Sequence, residues 1–326
     1  MNTLTRIFIA ALADTALLST PGWPAAATDY PRKPVTVIVP FDPGGPVEIM
    51  GRIFVDKLSQ RLGQQFLIET KPGASTAIGT EQVVRAKNDG YTLLYTSVSS
   101  LITLELTKKG QLSFNAASDL APVATTHTGA YVLYVNPSLG FKTAKEFIDS
   151  AKAKPGEYSY SSTGIGAHTY FTSELFKNMT GTDILHIPYK GTGPATQAVV
   201  SNEVSMIFGS PVLHQQYGKT GQLTPLGVTS PKPISQLPDI PALADTIPGF
   251  QSTYAFTFFA PKDTPKEIID KLNAEVNQIL ELPDVKQKIL AVGEPGGSTP
   301  EQMKSDMETE LSTLQELVEK VGLKLE

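Results

Sequence analysis

Near the start of the chain an apolar, β-branched run, Val35-Thr36-Val37-Ile38-Val39, stops at Pro40-Phe41-Asp42-Pro43-Gly44-Gly45, and a helical pattern follows over residues 47–62. Strand, proline–glycine turn and helix together are the building unit of a parallel α/β sheet. The junction aims backbone N–H groups and the positive end of a helix dipole at one point in space. Glycine lets a ligand come close to the backbone there. Such a site holds an anion without a charged side chain, and the chain repeats the device several times.

The rest of the pattern agrees. Strand-like runs at Val35–Val39, 66–69 and 92–96 alternate with helical spacing over 47–62 and 79–87. A second series has strands at 131–135, 158–161, 184–187 and 204–208, with helices over 143–153, 168–180 and 193–200. After one further strand, at 253–260, only helices are expected. Thr264-Pro265-Lys266-Glu267, Ser298-Thr299-Pro300-Glu301 and Thr143-Ala144-Lys145-Glu146 read as capped helix starts. Ile268, Ile269, Leu272, Val276, Ile279 and Leu280 form an apolar stripe behind the first of them. A helical tail with no sheet of its own should return to the first domain. The chain then crosses twice between domains, near 123–128 and 251–256. The expected division is residues 28–125 plus 253–326 for one domain and 126–252 for the other, with a hinge and a cleft between them. Such clefts commonly hold small ligands.

Composition narrows the ligand. The net charge of −5 argues against nucleic acid or an anionic membrane surface as partner. With no cysteine there is neither a disulfide framework nor a thiolate nucleophile. Residues 1–27 read as a secretory signal: Arg6, a mostly apolar run over 7–18 interrupted by Asp14, then Ala25-Ala26-Ala27. No other stretch approaches the roughly 20 apolar residues that span a bilayer. An exported protein is expected.

Five turns could carry chemistry. The first is Pro43-Gly44-Gly45 with Glu48 in the first helical turn, an anion cradle or an ordinary helix start. The second, Lys71-Pro72-Gly73-Ala74-Ser75-Thr76-Ala77-Ile78-Gly79, offers N–H and O–H donors. The third, Thr96-Ser97-Val98-Ser99-Ser100, lies at a strand end, where open α/β sheets bind ligands, and also suits a helix cap. The fourth is Ser161-Ser162-Thr163-Gly164-Ile165-Gly166-Ala167-His168-Thr169-Tyr170, and the fifth Tyr189-Lys190-Gly191-Thr192-Gly193. His127, His168, His186 and His214 lack metal-ligand spacing, and neither a Gly-x-Ser-x-Gly elbow nor a phosphate-binding Walker loop is present. No metal and no cofactor are expected, and an enzyme acting on anions in the cleft is the weaker reading because no general base can be paired.

These turns, in this order, resemble the Bug/TctC family, the solute-binding proteins of tripartite tricarboxylate transporters. The likeness runs from about residue 30 to 326. It rests on Tyr30-Pro31-Arg32-Lys33-Pro34, Val39-Pro40-Phe41 with Pro43-Gly44-Gly45, Lys71-Pro72-Gly73-Ala74, Asn88-Asp89-Gly90-Tyr91-Thr92-Leu93-Leu94, Glu174-Leu175-Phe176, Pro188-Tyr189-Lys190-Gly191, Val228-Thr229-Ser230, Leu237-Pro238-Asp239-Ile240-Pro241 and Pro248-Gly249-Phe250. The resemblance implies a two-lobed "Venus flytrap" α/β fold, export to a Gram-negative periplasm, a monomer, and delivery of a small carboxylate to TctA/TctB-type permease subunits; a sensor partner of a membrane receptor is the other outlet. Carried over, the contacts fall on Phe41, Asp42, Gly44, Gly45, Ala74, Ser75, Thr76, Ala77 and Ile78, and in the second lobe on Thr163, Gly164, Thr169 and Tyr170; the strand-end reading adds Ser97 and Ser99 as candidates, and Gly209 joins them as the position where the family has an acid. The chain departs from the family at Asp42, usually proline, at Glu48, usually aspartate, at Tyr170, usually histidine, and at Gly209, usually an acid. Losing an acid and gaining tyrosine and hydroxyls suits a flat carboxylate such as terephthalate. Tyr170→Ala is accordingly expected to change ligand ranking more than stability. Tyr254, Phe256 and Phe258 are expected in the core.

Overall fold

The run Val35–Val39 forms strand β1, an interior strand buried at nearly every residue, so apart from Thr36 it is apolar on both faces. The computed structural model describes residues 29–321 apart from 42, 45, 109 and 166; the expected signal segment, residues 1–27, lies outside the described residues. From Pro31 onward the chain is one unit. After β1 come α1 (Pro46–Leu62), β2 (Phe66–Thr70), α2 (Ala77–Val84), β3 (Thr92–Ser97) and α3 (Val98–Thr107). Then β4 (Leu120–Ala130) leads through Tyr131 into β5 (Val132–Val135). The second series is α4 (Ala144–Ala153), β6 (Ser159–Ser162), α5 (His168–Thr180), β7 (Leu185–Pro188), α6 (Thr192–Val200), β8 (Met206–Gly209) and β9 (Thr224–Val228). The chain closes with β10 (Thr253–Pro261), α7 (Lys266–Leu280), α8 (Pro283–Leu290), β11 (Glu294–Pro295) and α9 (Pro300–Val321).

Two sheets result, in the orders β11-β4-β10-β3-β1-β2 and β7-β6-β8-β5-β9. Flanked by helices, they make a two-lobed α/β fold. Neither sheet is wholly parallel, contrary to the sequence reading. In the first lobe β10 inserts antiparallel between β3 and β4, and in the second β5 runs antiparallel between β8 and β9. β4 and β9 were not expected as strands, and β11 breaks the expected all-helical tail. The Thr264 cap does not form: its hydroxyl donates to the Pro261 carbonyl, and α7 starts at Lys266 with Pro265 as its cap residue. The box at Thr143 and Glu146 does form, and Thr299 accepts from the Gln302 N–H at the start of α9.

The strand directions decide where a site can lie. β1, β2 and β3 are parallel, and β4, antiparallel to β10, runs the same way as β3. All four therefore end on one edge of the first sheet. One residue beyond that edge β5 begins the second sheet. β8 is antiparallel to β5, and β6 and β7 run parallel to β8, so these three end on the edge where β5 starts. The carboxyl ends of both strand sets thus lie toward the junction of the lobes, where open α/β sheets bind ligands.

Hydrophobic packing continues across that junction. Ile38, Leu94 and Leu101 of the first lobe share one cluster with Phe147, Phe171 and Phe208 of the second. On α7, Ile269, Leu272, Val276, Ile279 and Leu280 are buried, each worth about 1.5–3 kcal/mol relative to exposure, while Ile268 is only half-buried. The tail does return to the first lobe, where α7 and α9 pack on β4. Yet α9 also packs against α5 of the second lobe, through a stripe that buries Met303, Met307, Leu314 and Leu317. Phe258 is in the core as expected; Tyr254 and Phe256 are half-buried.

Candidate ligand-binding site

The first turn is closed by its own acid. Gly44, in the left-handed region at φ 78°, donates its N–H to the Glu48 carboxylate at 2.7 Å, and Arg52 donates to the other oxygen. The Gly44 hydrogen bond, with Arg52 beside it, holds the Glu48 carboxyl below the usual range. Glu48 thus does shape the turn, but it also occupies one N–H that the sequence assigned to an anion. Phe41 is half-buried, Gly44 is exposed with open space around its Cα, and Asp42 and Gly45 lie outside the described residues.

The second loop is wound the unusual way. Ala74, Ser75 and Thr76 have φ of 49°, 56° and 78°, three consecutive non-glycine residues in the left-handed region. Each costs roughly 1–2 kcal/mol there, and such strain is characteristic of ligand clamps. Gly73, at φ 126°, leads into the run. Gly79 locks the loop to the first turn: a Cβ there would lie 2.9 Å from both the Lys71 carbonyl oxygen and Pro40 Cβ. Ala77 is buried, Ala74, Ser75 and Ile78 are exposed, and the buried Thr76 hydroxyl has no hydrogen-bond partner.

Ser97 does what the bland reading expected. Its hydroxyl accepts the Ser100 N–H and caps α3; Ser99 is buried beside it. In the second lobe Thr163 is exposed, Gly164 sits at φ 124°, and Thr169 carries a buried hydroxyl without a partner. Tyr170 is only 6% exposed, with its ring against Phe171 and His186, so it is a packing residue of the lobe. The expectation that Tyr170→Ala changes ligand ranking more than stability is corrected accordingly: truncating a ring this buried should cost stability first. Gly209 is buried, and an added Cβ would meet Leu213 Cδ1 at 2.3 Å. His186 bonds Ser162 Oγ at 2.7 Å, but the nearby Glu174 takes Tyr160 and Lys177 rather than the imidazole. Burial pushes the His186 pKa down. Ser162 and His186 are therefore not completed into a charge-oriented nucleophile pair.

The helices that start on the lobe-facing edges differ in their caps: of α2, α3, α5 and α6, only α3 is closed by a side chain, that of Ser97. α2, α5 and α6 begin without any side-chain cap. Their first-turn N–H groups and dipole ends are left for another acceptor. α4, which starts on the opposite edge of its sheet, carries the full capping box; α7, which follows β10 on the edge away from the junction, is uncapped, as is α8.

One positioning residue was missed in the sequence. Thr229, fully buried, donates its hydroxyl to the Ser252 carbonyl and accepts the Tyr131 N–H at 2.8 Å. It thereby joins the two strands of chain that run between the lobes. Only the short Val228-Thr229-Ser230 match pointed to it.

The comparisons with known proteins agree with this geometry. Residues 50–323 match the model of the tripartite tricarboxylate transporter family receptor, TctC. The chain is 31% identical over 304 residues to protein BugT of Bordetella pertussis, covering 93% of each chain. A structure described as that of a periplasmic transporter is 34% identical, with a TM-score of 0.77 over 91% of this chain and 100% of the other. R. palustris Rpa4515, solved with adipate, is 29% identical with a TM-score of 0.73 over 90% and 99%. Among the described residues no helix is long and apolar enough to cross a membrane. The chain therefore belongs to the tripartite tricarboxylate transporter receptor (Bug/TctC) family, whose members are periplasmic solute-binding proteins rather than enzymes.

Proposed function

We propose that the protein is exported to the periplasm, closes its two lobes on a small carboxylate, and presents the closed form to a TctA/TctB-type permease. The observation that carries this reading is the set of uncapped helix starts on the edges that face the lobe junction, at α2, α5 and α6. A carboxylate supplies the acceptors that those N–H groups lack. The unpartnered hydroxyls of Thr76 and Thr169 add one donor from each lobe. Closure removes water and strengthens every one of these bonds.

Exposed apolar side chains indicate the rest of the ligand. Ile78 is 53% exposed at the start of α2, and Ile165 is 51% exposed in the loop before α5. They suit a hydrocarbon body between two carboxylates. Adipate, bound by the R. palustris relative, has that form, and terephthalate is its flat aromatic counterpart. With Tyr170 in the lobe core, discrimination between the two falls to Ile78 and Ile165.

The test is a thermal-shift and calorimetry series on the mature protein with adipate, terephthalate, shorter dicarboxylates, monocarboxylates and uncharged diamides. A ligand at a hundredfold excess over its Kd adds about 2.7 kcal/mol of stability. Stabilisation by a dicarboxylate, lost with its diamide, is expected. Equal stabilisation by acid and diamide, or no response to any carboxylate, refutes the reading.

A further inference from the structure

A second polar space lies beneath α9. It is a groove of about 870 Å3, within the size range of small-molecule sites. Its walls come from α5, from the segment that returns to β10, and from α9 itself. It meets the carboxylate site only at the start of α5, where His168 turns its side chain into the groove.

Its chemistry is lopsided. Asp306 and Glu310, one turn apart on α9, both line the groove, and among the described residues no lysine or arginine does. His168 faces them with its side chain only 10% exposed and with Nδ1 unpartnered. Its Nε2 lies 3.4 Å from Ser252 Oγ and 3.9 Å from the Glu310 carboxylate, the latter too long for a hydrogen bond. Glu310 Oε1 is likewise buried without a partner. Buried polar atoms are nearly always hydrogen-bonded, so an unpartnered imidazole nitrogen and an unpartnered carboxylate oxygen on the walls of one groove point to a missing partner. The remaining wall is apolar, with Phe171, Met303 and Met307 along it.

We propose that this groove is a second ligand site, separate from the carboxylate site, for a small organic cation: a primary ammonium group between Glu310, Asp306 and His168, with an alkyl chain along Met303, Met307 and Phe171. An ammonium supplies three donors and one positive charge. Those match the two acids and the free imidazole nitrogen. The protonation behaviour of the groove agrees. Burial, with Asp306 nearby, pushes the Glu310 carboxyl up to about 7, and burial pushes His168 down to about 4. Near neutral pH His168 is uncharged, and a bound cation favours the ionised form of Glu310 that burial disfavours.

The methionines report on it directly. Met179, Met303 and Met307 line the groove, while Met50 and Met206 are buried elsewhere. The protein with 13C-methyl methionine is titrated with n-hexylammonium and, separately, with n-hexanol. Saturable shifts at Met179, Met303 and Met307, with Met50 and Met206 still, are expected for the amine only. Glu310→Gln, which keeps the shape of the side chain, should weaken the amine about tenfold or more by removing a charge-assisted bond. Asp306→Asn provides the same test on an exposed position if Glu310→Gln does not fold. Hexanol binding as tightly as the amine, shifts spread over all five methyls, no saturable shift, or an affinity unchanged in the variant that folds would each overturn the proposal.

Discussion

Ser75→Gly should make this protein more stable. Ser75 sits at φ 56° and ψ 45°, with its side chain exposed, so its removal forfeits no packing. Releasing a non-glycine residue from the left-handed region recovers about 1–2 kcal/mol. Glycine gives back about 0.5–1 kcal/mol through its greater freedom in the unfolded chain. The net gain is about 0–1.5 kcal/mol, with a midpoint of about 0.75. Unfolding entropy near 2 cal/mol/K per residue, over the ~290 described residues, gives about 0.6 kcal/mol/K, so Tm should rise by about 1 °C at that midpoint. Two residues earlier the sign reverses. Gly73 has φ 126° and ψ 155°, a conformation nearly exclusive to glycine, and an added Cβ would lie 2.7 Å from Ile78 Cδ1. Gly73→Ala should cost about 1–3 kcal/mol, a fall of about 2–5 °C by the same conversion. Differential scanning calorimetry at fixed pH and without ligand reads both. Ligand affinity should weaken in Ser75→Gly, because the free loop is no longer held in shape. A lowered Tm for Ser75→Gly, or a neutral Gly73→Ala, would show that the left-handed run is not the strained element described.

A Cβ added at Gly44 meets no atom within 4 Å, though the residue must adopt φ 78°; for Gly44→Val circular dichroism should show a folded protein, and calorimetry should show lost carboxylate binding. Thr169→Val removes a buried hydroxyl without a partner, so stability should hold or rise, while carboxylate affinity falls about 10- to 100-fold if the hydroxyl donates to the anion, the range for a bond to a charged group. Tyr170→Ala truncates a ring that is 6% exposed and should cost about 3–5 kcal/mol in urea unfolding, as for other large aromatics in cores. Glu48 has a folded pKa below its ordinary 4.5, so its contribution is present above that pH and is lost as pH falls through the lower folded value; Glu48→Gln should show a shallower acid limb of stability than the parent protein.

Much of the fold was legible because burial leaves a simple trace. β1, β3 and β10 are apolar or aromatic runs that end at turn residues, and α5 and α7 carry clear helical stripes. β4 was missed because Leu120-Ala-Pro-Val-Ala-Thr-Thr-His-Thr-Gly-Ala130 is built of small and hydroxylated residues, fitted to close neighbours rather than to a water-facing surface. β9, Thr224-Pro-Leu-Gly-Val228, escaped for the same reason: Gly227 leaves room for Leu243. The antiparallel insertion of β10 depends on a pairing between distant segments that no local pattern encodes. At the site, glycine turns marked the strand ends correctly as places. The cap at Ser97 and the place of Glu48 in the first turn were legible because their partners lie three and four residues away, whereas the inward packing of Tyr170 was not, because it depends on His186 from a distant strand.

The reach of α9 over both lobes has a mechanical consequence. A binding protein of this shape works by swinging, and a helix leaning on both halves acts as the stop and the bearing of that swing. Its contact line carries Met303 and Met307 ahead of Leu314 and Leu317. Unbranched thioether chains refill space as neighbours shift, where branched side chains would lock one arrangement. The stretch with Met303 and Met307 can therefore adjust as its neighbours shift, while Leu314 and Leu317 hold a more fixed arrangement, on one helix that bridges both lobes.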